Sequence, residues 1–279
     1  MIYASDLDQT LIYSTRSMGI DTASPLVMPA ETIDGKVSSY ISIAAFNQLQ
    51  RLNGELNFIP VTTRTIAQYK RIELFYEQVQ PKYAITSNGG NILVEGTPDL
   101  EWNEYIRGNV ASQSAPMEQI RELIEAIWNE EWCVGQRYCD ELFIALVIHR
   151  EIVPWDVLNP VVTSIRELGW DVSIQGRKIY FVPRAVSKQA ALAHLKQFLG
   201  ASVVIASGDS LLDQCLLDFA DYPIAARHGE LYREQERNPR TINYSFTSHS
   251  GVLAADQIVD YAYDAMRRYK DANKSQSVV

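Results

Sequence analysis

Asp6 and Asp8, two residues apart in Ile2-Tyr3-Ala4-Ser5-Asp6-Leu7-Asp8-Gln9-Thr10-Leu11, are the side chains whose type and spacing most directly suggest chemistry. They close a short run, Ile2 to Ala4, whose β-branched and aromatic character reads as a buried strand. On a chain that stays extended, both carboxylates stand on the same side. Two like charges that close resist ionising together unless a cation lies between them, so the pair points to Mg²⁺ or to a shared proton. Aspartate is also common in turns, and a strand followed by an acidic turn accounts for this stretch equally well when it is taken alone.

Three later stretches bear on the choice. The apolar run Phe58-Ile59-Pro60-Val61 ends at Thr62-Thr63-Arg64, Lys188 lies in Val186-Ser187-Lys188-Gln189-Ala190, and Val203-Val204-Ile205-Ala206 leads to Gly208-Asp209-Ser210-Leu211-Leu212-Asp213. In an open parallel sheet, ligands bind in the crevice beyond the carboxyl ends of the strands, so residues far apart in sequence that follow strand-like runs can meet there. Taken with the first stretch, these resemble the four motifs of the haloacid dehalogenase (HAD) superfamily of phosphohydrolases, in the order that family shows: DxDxT, a Thr or Ser closing a strand, a lysine, and GDxxxD. The resemblance covers most of the chain and is better for the C2-capped subclass (Cof-like, sucrose-phosphatase-like) than for enzymes whose cap follows the first motif.

The resemblance implies a role for each residue. Asp6 attacks phosphorus and becomes an aspartyl-phosphate, which splits hydrolysis into two displacements. Asp8 protonates the leaving alcohol and later accepts a proton from water, which calls for a pKa above that of an exposed carboxylate and makes Asp8 the neutral member of the pair. Thr62 hydrogen-bonds a phosphoryl oxygen, and Lys188 offsets the phosphoryl charge while holding the Asp6 carboxylate. Mg²⁺ is held by Asp6, Asp209 and the backbone carbonyl of Asp8. Asp213 and Ser210 support the metal or Lys188 from behind. Thr10, Arg64 and Asn88 fall on the substrate side, Arg64 as a clamp on the substrate phosphate, although Arg64 could instead pair with an acidic neighbour and Asn88-Gly89 could be a plain turn. Three positions depart from the family pattern: Gln9 and Thr63 stand where many relatives have Gly, and Leu212 where relatives often have Asn.

The elements that must position these residues read as follows. Ile12 to Glu31 is a loop or flap, Ser38 to Leu52 a helix, Leu56 to Val61 a strand, Thr65 to Glu77 a helix and Tyr83 to Thr86 a strand. Ile92 to Pro98 is a hairpin or exit segment, Pro116 to Trp132 a helix, and Glu141 to His149, Trp170 to Ile174 and Arg177 to Val182 are strands around a helix from Pro154 to Leu168. Helix Lys188 to Leu199, strand Ser202 to Ala206, short helix Leu211 to Phe219 and strand Tyr222 to Ala225 follow. A polar loop Arg227 to Arg240, a strand Ile242 to Phe246, a helix Val252 to Tyr269 and a frayed polar tail Asp271 to Val279 complete the chain. The expected fold is α/β: a Rossmann-like parallel sheet core with helices on both faces, residues 1–91 and 184–279, interrupted by a small inserted α+β cap of C2 type, residues 92–183.

Composition bounds the partners. Of 279 residues, 25 are Lys or Arg and 34 are Asp or Glu, and the net charge of −9 argues against nucleic-acid or anionic-membrane partners. Cys133, Cys139 and Cys215 match neither a disulfide framework nor a zinc pattern, which, with a first strand at the N-terminus and no long apolar run, places the expected protein in the cytoplasm. His149, His194, His228 and His249 show no ligand spacing, the five tryptophans read as core, and Arg177 and Lys178 read as solvated charges at a cap turn. The expected activity is a Mg²⁺-dependent phosphatase for a small phosphorylated metabolite, a sugar phosphate by the resemblance. A phosphomutase, a DxD glycosyltransferase and a non-catalytic binding module are the alternatives.

Overall fold

The computed structural model describes residues 1–239 and 242–276. Strand β1 (Ile2–Ser5) is buried throughout and leads into the loop bearing Asp6 and Asp8. After a two-residue strand β2 (Tyr13–Ser14), β3 (Val27–Ile33) and β4 (Lys36–Ser42) form a hairpin. A loop or flap is expected over 12–31. Its strand signal is interrupted by Pro29 and a register shift, but Asp34-Gly35, both left-handed at φ 49° and 74°, close the hairpin. Helix α1 (Ile43–Glu55) therefore starts five residues later than expected, with Ser42 at its cap.

Strand β5 (Asn57–Pro60) is followed by α2 (Ile66–Lys70), held at its start by a reciprocal Thr65–Gln68 capping box, and then by a π-helical turn, Leu74–Val79. The single helix expected over 65–77 is thus two pieces. Strands β6 (Tyr83–Thr86), β7 (Asn91–Val94) and β8 (Thr97–Pro98) form a small antiparallel sheet.

Helix α3 (Leu100–Gln113), capped by Asp99, lies in a stretch where no element is expected, because its stripe is thin: Trp102 and Ile106 are buried while Leu100 is 73% exposed. Helix α4 (Met117–Glu125) stops short of Trp132, residues 126–132 forming turns, and strand β9 (Cys133–Cys139), whose alternation is weak, follows where no strand is expected. With β10 (Phe143–Ile148), α5 (Trp155–Glu167), β11 (Trp170–Gln175) and β12 (Lys178–Pro183), it makes a four-stranded antiparallel sheet in the order β11-β12-β10-β9.

The chain returns through α6 (Lys188–Phe198), whose first turn is capped by Ser187 at 3.0 Å from the Ala190 N–H, into β13 (Val204–Gly208), α7 (Gln214–Asp218) and β14 (Tyr222–Ala225). The expected polar loop contains helix α8 (Glu230–Arg237), and β15 is only Ser245–Phe246; the start of the expected 242–246 strand is not extended pairing. Helix α9 (Val252–Gln276) continues through residues expected to fray, and 277–279 lie outside the described residues. No helix among the described residues is long and apolar enough to cross a membrane.

The central sheet runs β15-β14-β13-β1-β5, all parallel, and Val61 pairs in parallel with Ile85 to bring β6 alongside. Alternation divides β1 between two cores. Tyr3 packs with α1 and α9 residues such as Leu49 and Ile258, while Ile2 and Ala4 pack with α6 and α7 residues such as Leu192 and Leu216. Helices on both faces leave the strand ends as the accessible edge, and Ser5, Pro60 and Ser207 lie level with one another there.

Candidate active site

The four sequence stretches meet at that edge. The Asp6 N–H donates to the Ser207 carbonyl at 2.9 Å, which prolongs the β1–β13 ladder by one bond and sets Asp6 beside Asp209. From the first turn of α6, Lys188 reaches Asp6 Oδ1 and Asp213 Oδ1, both at 2.6 Å, with only 1% of its side chain exposed. Asp213 is fully enclosed. Its Oδ2 accepts from the Asp209 N–H (3.1 Å), the Ser210 N–H (2.9 Å) and the Ser210 hydroxyl (2.8 Å). Gly208 makes this possible, since a Cβ there would come within 2.4 Å of the Asp213 Cβ. The Thr10 hydroxyl donates to Asp6 Oδ2 at 3.3 Å.

Thr62 is buried beside them. Its N–H donates to the Ile85 carbonyl at 2.9 Å and its hydroxyl accepts from the Arg64 N–H at 3.1 Å. Asn88 is held by a donation to the Val186 carbonyl at 3.4 Å, and its Oδ1 is buried without a partner. Ser87 and Asn88 are both left-handed (φ 52° and 58°), and Gly89 must be glycine, because a Cβ would lie 2.1 Å from the Ser187 carbonyl at the start of α6.

Carboxylate oxygens of Asp6, Asp209 and Asp213 fall within 4.8 Å of one another. Those of Asp213 are already engaged, so Asp6 and Asp209 are the pair left to face a cation. Burial, then Asp213, push Asp6 up to about 7 although Lys188 pulls it down. Burial, Asp213 and Asp6 likewise raise Asp209 well above the ordinary carboxylate range. For Lys188, burial opposes the charge, but Asp213 and Asp6 outweigh it and hold the ammonium form. One buried cation therefore serves three buried carboxylates, and a hard divalent ion with oxygen ligands fits the remainder.

Asp8 overturns the expectation for its pKa. Partial burial pushes it up, but Arg64 outweighs this through Nε–Oδ2 and Nη2–Oδ1 bonds of 2.8 Å each and holds Asp8 below the ordinary range. Asp6, not Asp8, is the raised member of the pair. Arg64 is the acid's partner here rather than an open phosphate clamp, since Nη1 also meets Glu31 Oε2 at 2.9 Å, and Glu31 is buried under Arg71 as well.

The departures from the family pattern have structural answers. Gln9 adopts φ 64°, with its carbonyl 2.9 Å from His228 Nε2. Because the Gly251 N–H donates to Nδ1 (3.2 Å), Nε2 carries the proton in the neutral ring. Thr63 is not among the left-handed residues, and Leu212 packs against the core while the Asp209–Asp213 geometry stands. Sequence reasoning missed Glu31, His228 and Asp140. Only Asp140 left a signal, as a polar residue directly before the strand-like run Glu141 to His149.

A doubly flanked parallel sheet with a lysine-bridged aspartate cluster at its strand ends and an antiparallel cap sheet defines the HAD-type phosphoric monoester hydrolases, and this chain is one of them. Residues 1–255 match the model of the sucrose-6F-phosphate phosphohydrolase family, and the chain belongs to that family. Among solved structures it is similar to the sucrose-phosphatase of Synechocystis sp. PCC6803 in complex with sucrose and phosphate (17% identity, TM-score 0.64, 93% of this chain and 98% of that one). It also resembles a HAD subclass IIB sugar phosphatase (13%, TM-score 0.60, 96% and 98%) and a trehalose-6-phosphate phosphatase related protein (14%, TM-score 0.55, 96% and 100%). A comparison with curated protein sequences gives no significant match.

Proposed function

We propose that this protein is a Mg²⁺-dependent phosphatase that hydrolyses a small phosphorylated metabolite, a sugar phosphate by family membership, through a phosphoryl group carried on Asp6. The observation that carries the reading is the Asp6–Lys188–Asp213 bridge beside Asp209, which holds one carboxylate oxygen in place at the end of β1. Residues 92–183 are proposed as the cap, and 1–91 with 184–279 as the core.

In the first step an Asp6 oxygen forms a bond to phosphorus as the bond to the leaving oxygen breaks, and Asp8, once protonated, passes its proton to that oxygen. In the second, water adds to phosphorus, its proton goes to Asp8, and the Asp6 carboxylate departs as inorganic phosphate forms. Asp8 acts in this way only after it leaves Arg64, so the Arg64–Asp8 pair is a resting state. Substrate phosphate is the competing anion for Arg64, while Thr62 and Lys188 donate to the phosphoryl oxygens. Asp6, Asp209 and the Asp8 carbonyl would hold Mg²⁺, which when bound neutralises charge on the phosphoryl group.

Phosphate release from a panel of sugar phosphates, with Mg²⁺ and with chelator, tests the reading. Metal-dependent release that Asp6→Asn abolishes is the expected result. No release from any ester, or a fully active Asp6→Asn, overturns it.

A further inference from the structure

The four-stranded antiparallel sheet has two unlike faces. Arg137 pairs across it with Ala145, Ala145 with Tyr180 and Tyr180 with Ser173; Val147 pairs with Lys178, and Lys178 with Gln175. Directly paired residues share a face, so Arg137, Lys178, Tyr180, Ser173 and Gln175 lie on one side. The other side carries buried Ile144, Leu146, Ile179 and Phe181, packed with α4 and α5.

Contacts at both ends turn the polar face toward the strand-end crevice. At the β9–β10 turn, Asp140 accepts from the Ile66 N–H (2.9 Å), from Asn91 Nδ2 (3.1 Å) and from the Ser87 hydroxyl, and Leu142 lies so close to Gly90 that an added Cβ would meet it at 2.3 Å. At the other end, β11 reaches the Leu211–Asp213 turn behind Asp209. Phe143, Tyr180 and Val182 are buried although they face away from the cap helices, while Arg137 and Lys178 on the same side are exposed. Lys178 is near enough to Asp8 to favour its charged form, and both Lys178 and Arg137 act on the Cys139 thiol.

The two cations differ from those below them. Lys188 and Arg64 are matched by carboxylates, whereas Arg137 and Lys178 form no ion pair among the described residues; the Lys178 ammonium stands 5.8 Å from the centre of the Tyr180 ring. In a chain of net charge −9, unmatched positive charge over the site is selective. The phosphoryl group is met from the core by Lys188, so the cap cations face the other half of the ligand. A neutral sugar gains little from two full charges, whereas an anion gains a charge-assisted hydrogen bond from each.

We propose that the leaving alcohol carries a second anionic group, a carboxylate or a second phosphate, and that Lys178 and Arg137 bind it. The proposal rests on the phosphatase reading of the core and concerns the part of the substrate that reading leaves open.

The test is calorimetric titration of the Asp6→Asn protein, in Mg²⁺, with glucose 6-phosphate, 6-phosphogluconate and fructose 1,6-bisphosphate. At least one of the two doubly anionic ligands is expected to bind about ten-fold more tightly than glucose 6-phosphate, the worth of one such bond, and which one does so separates carboxylate from phosphate. Adding Lys178→Met or Arg137→Met should remove that advantage and leave glucose 6-phosphate binding unchanged. Equal affinities, or an advantage that survives both substitutions, overturn the second-anion proposal. Wild-type release of phosphate from para-nitrophenyl phosphate is scored separately. Release without a binding preference removes this proposal alone; a binding preference without release from any ester removes the hydrolase reading and keeps the anion site.

Discussion

Asp6 and Asp8 share one loop and lie in opposite surroundings. Asp6 is buried, tied to Lys188 and Thr10, and raised toward neutrality; Asp8 is 51% exposed, tied to Arg64, and lowered. A group that must meet phosphorus in a fixed line gains from being locked by packing, while a group that must carry a proton in and out gains from a partner it can leave. The buried cluster is built for position and the exposed pair for exchange.

The comparison breaks first at Asp6. Asp6→Asn keeps the shape and removes the nucleophile, so turnover should fall on the order of 10⁴-fold or more, as single-turnover rates would show. Lys188→Met comes next. It leaves buried carboxylates without their cation, and a loss of about 3–5 kcal/mol in stability is expected by urea unfolding, together with loss of activity. An unchanged midpoint would mean that the bridge does not hold the cluster.

Arg64→Gln sharpens the other half. Without the guanidinium, the Asp8 pKa rises toward the ordinary value, so Asp8 stays protonated to higher pH and the alkaline limb of the kcat/KM profile should move to higher pH. Stability against pH separates the two regions again. Asp6 and Asp209 have raised folded-state values, so they favour the fold below about pH 4 and that contribution is lost as pH rises through about 7 for Asp6. Melting of the chelated protein should therefore shift to lower temperature between those limits, and Mg²⁺ should reverse the shift. The smallest expected effect is at Asp140. Asp140→Asn weakens the turn's hold on Ile66 and Ser87 and should raise KM a few-fold with kcat nearly unchanged, about the worth of one hydrogen bond.

Much of the core was legible because strand-end chemistry leaves a local trace: an apolar run followed by Asp, Thr or Gly-Asp states both the element and the place of the side chain. That trace located Asp6, Thr62 and Asp209, while Lys188 came from the family resemblance alone; the structure sets Lys188 against Asp6 and groups Asp6 with Asp209. It failed where the outcome depends on which way a side chain turns. Arg64 reads the same whether it faces a phosphate or Asp8, and the lowering of the Asp8 pKa follows from that orientation, while burial beside Asp213 raises Asp6. Glu31 was hidden in a hairpin whose alternation Pro29 breaks, and α3 and α8 were missed because each buries too few residues to mark a stripe. Lys178 reads as a solvated charge and is exposed in the structure, and what its turn does not show in sequence is that it lies near Asp8.

The central claim, that the locked carboxylate and not the paired one attacks phosphorus, is tested most directly by rapid acid quench during turnover, followed by peptide mapping of the N-terminal segment by mass spectrometry. One phosphoryl group on Asp6 in the wild type and none in the Asp6→Asn protein is the expected result. A phosphoryl group on Asp8, or full turnover in the Asp6→Asn protein, would contradict it.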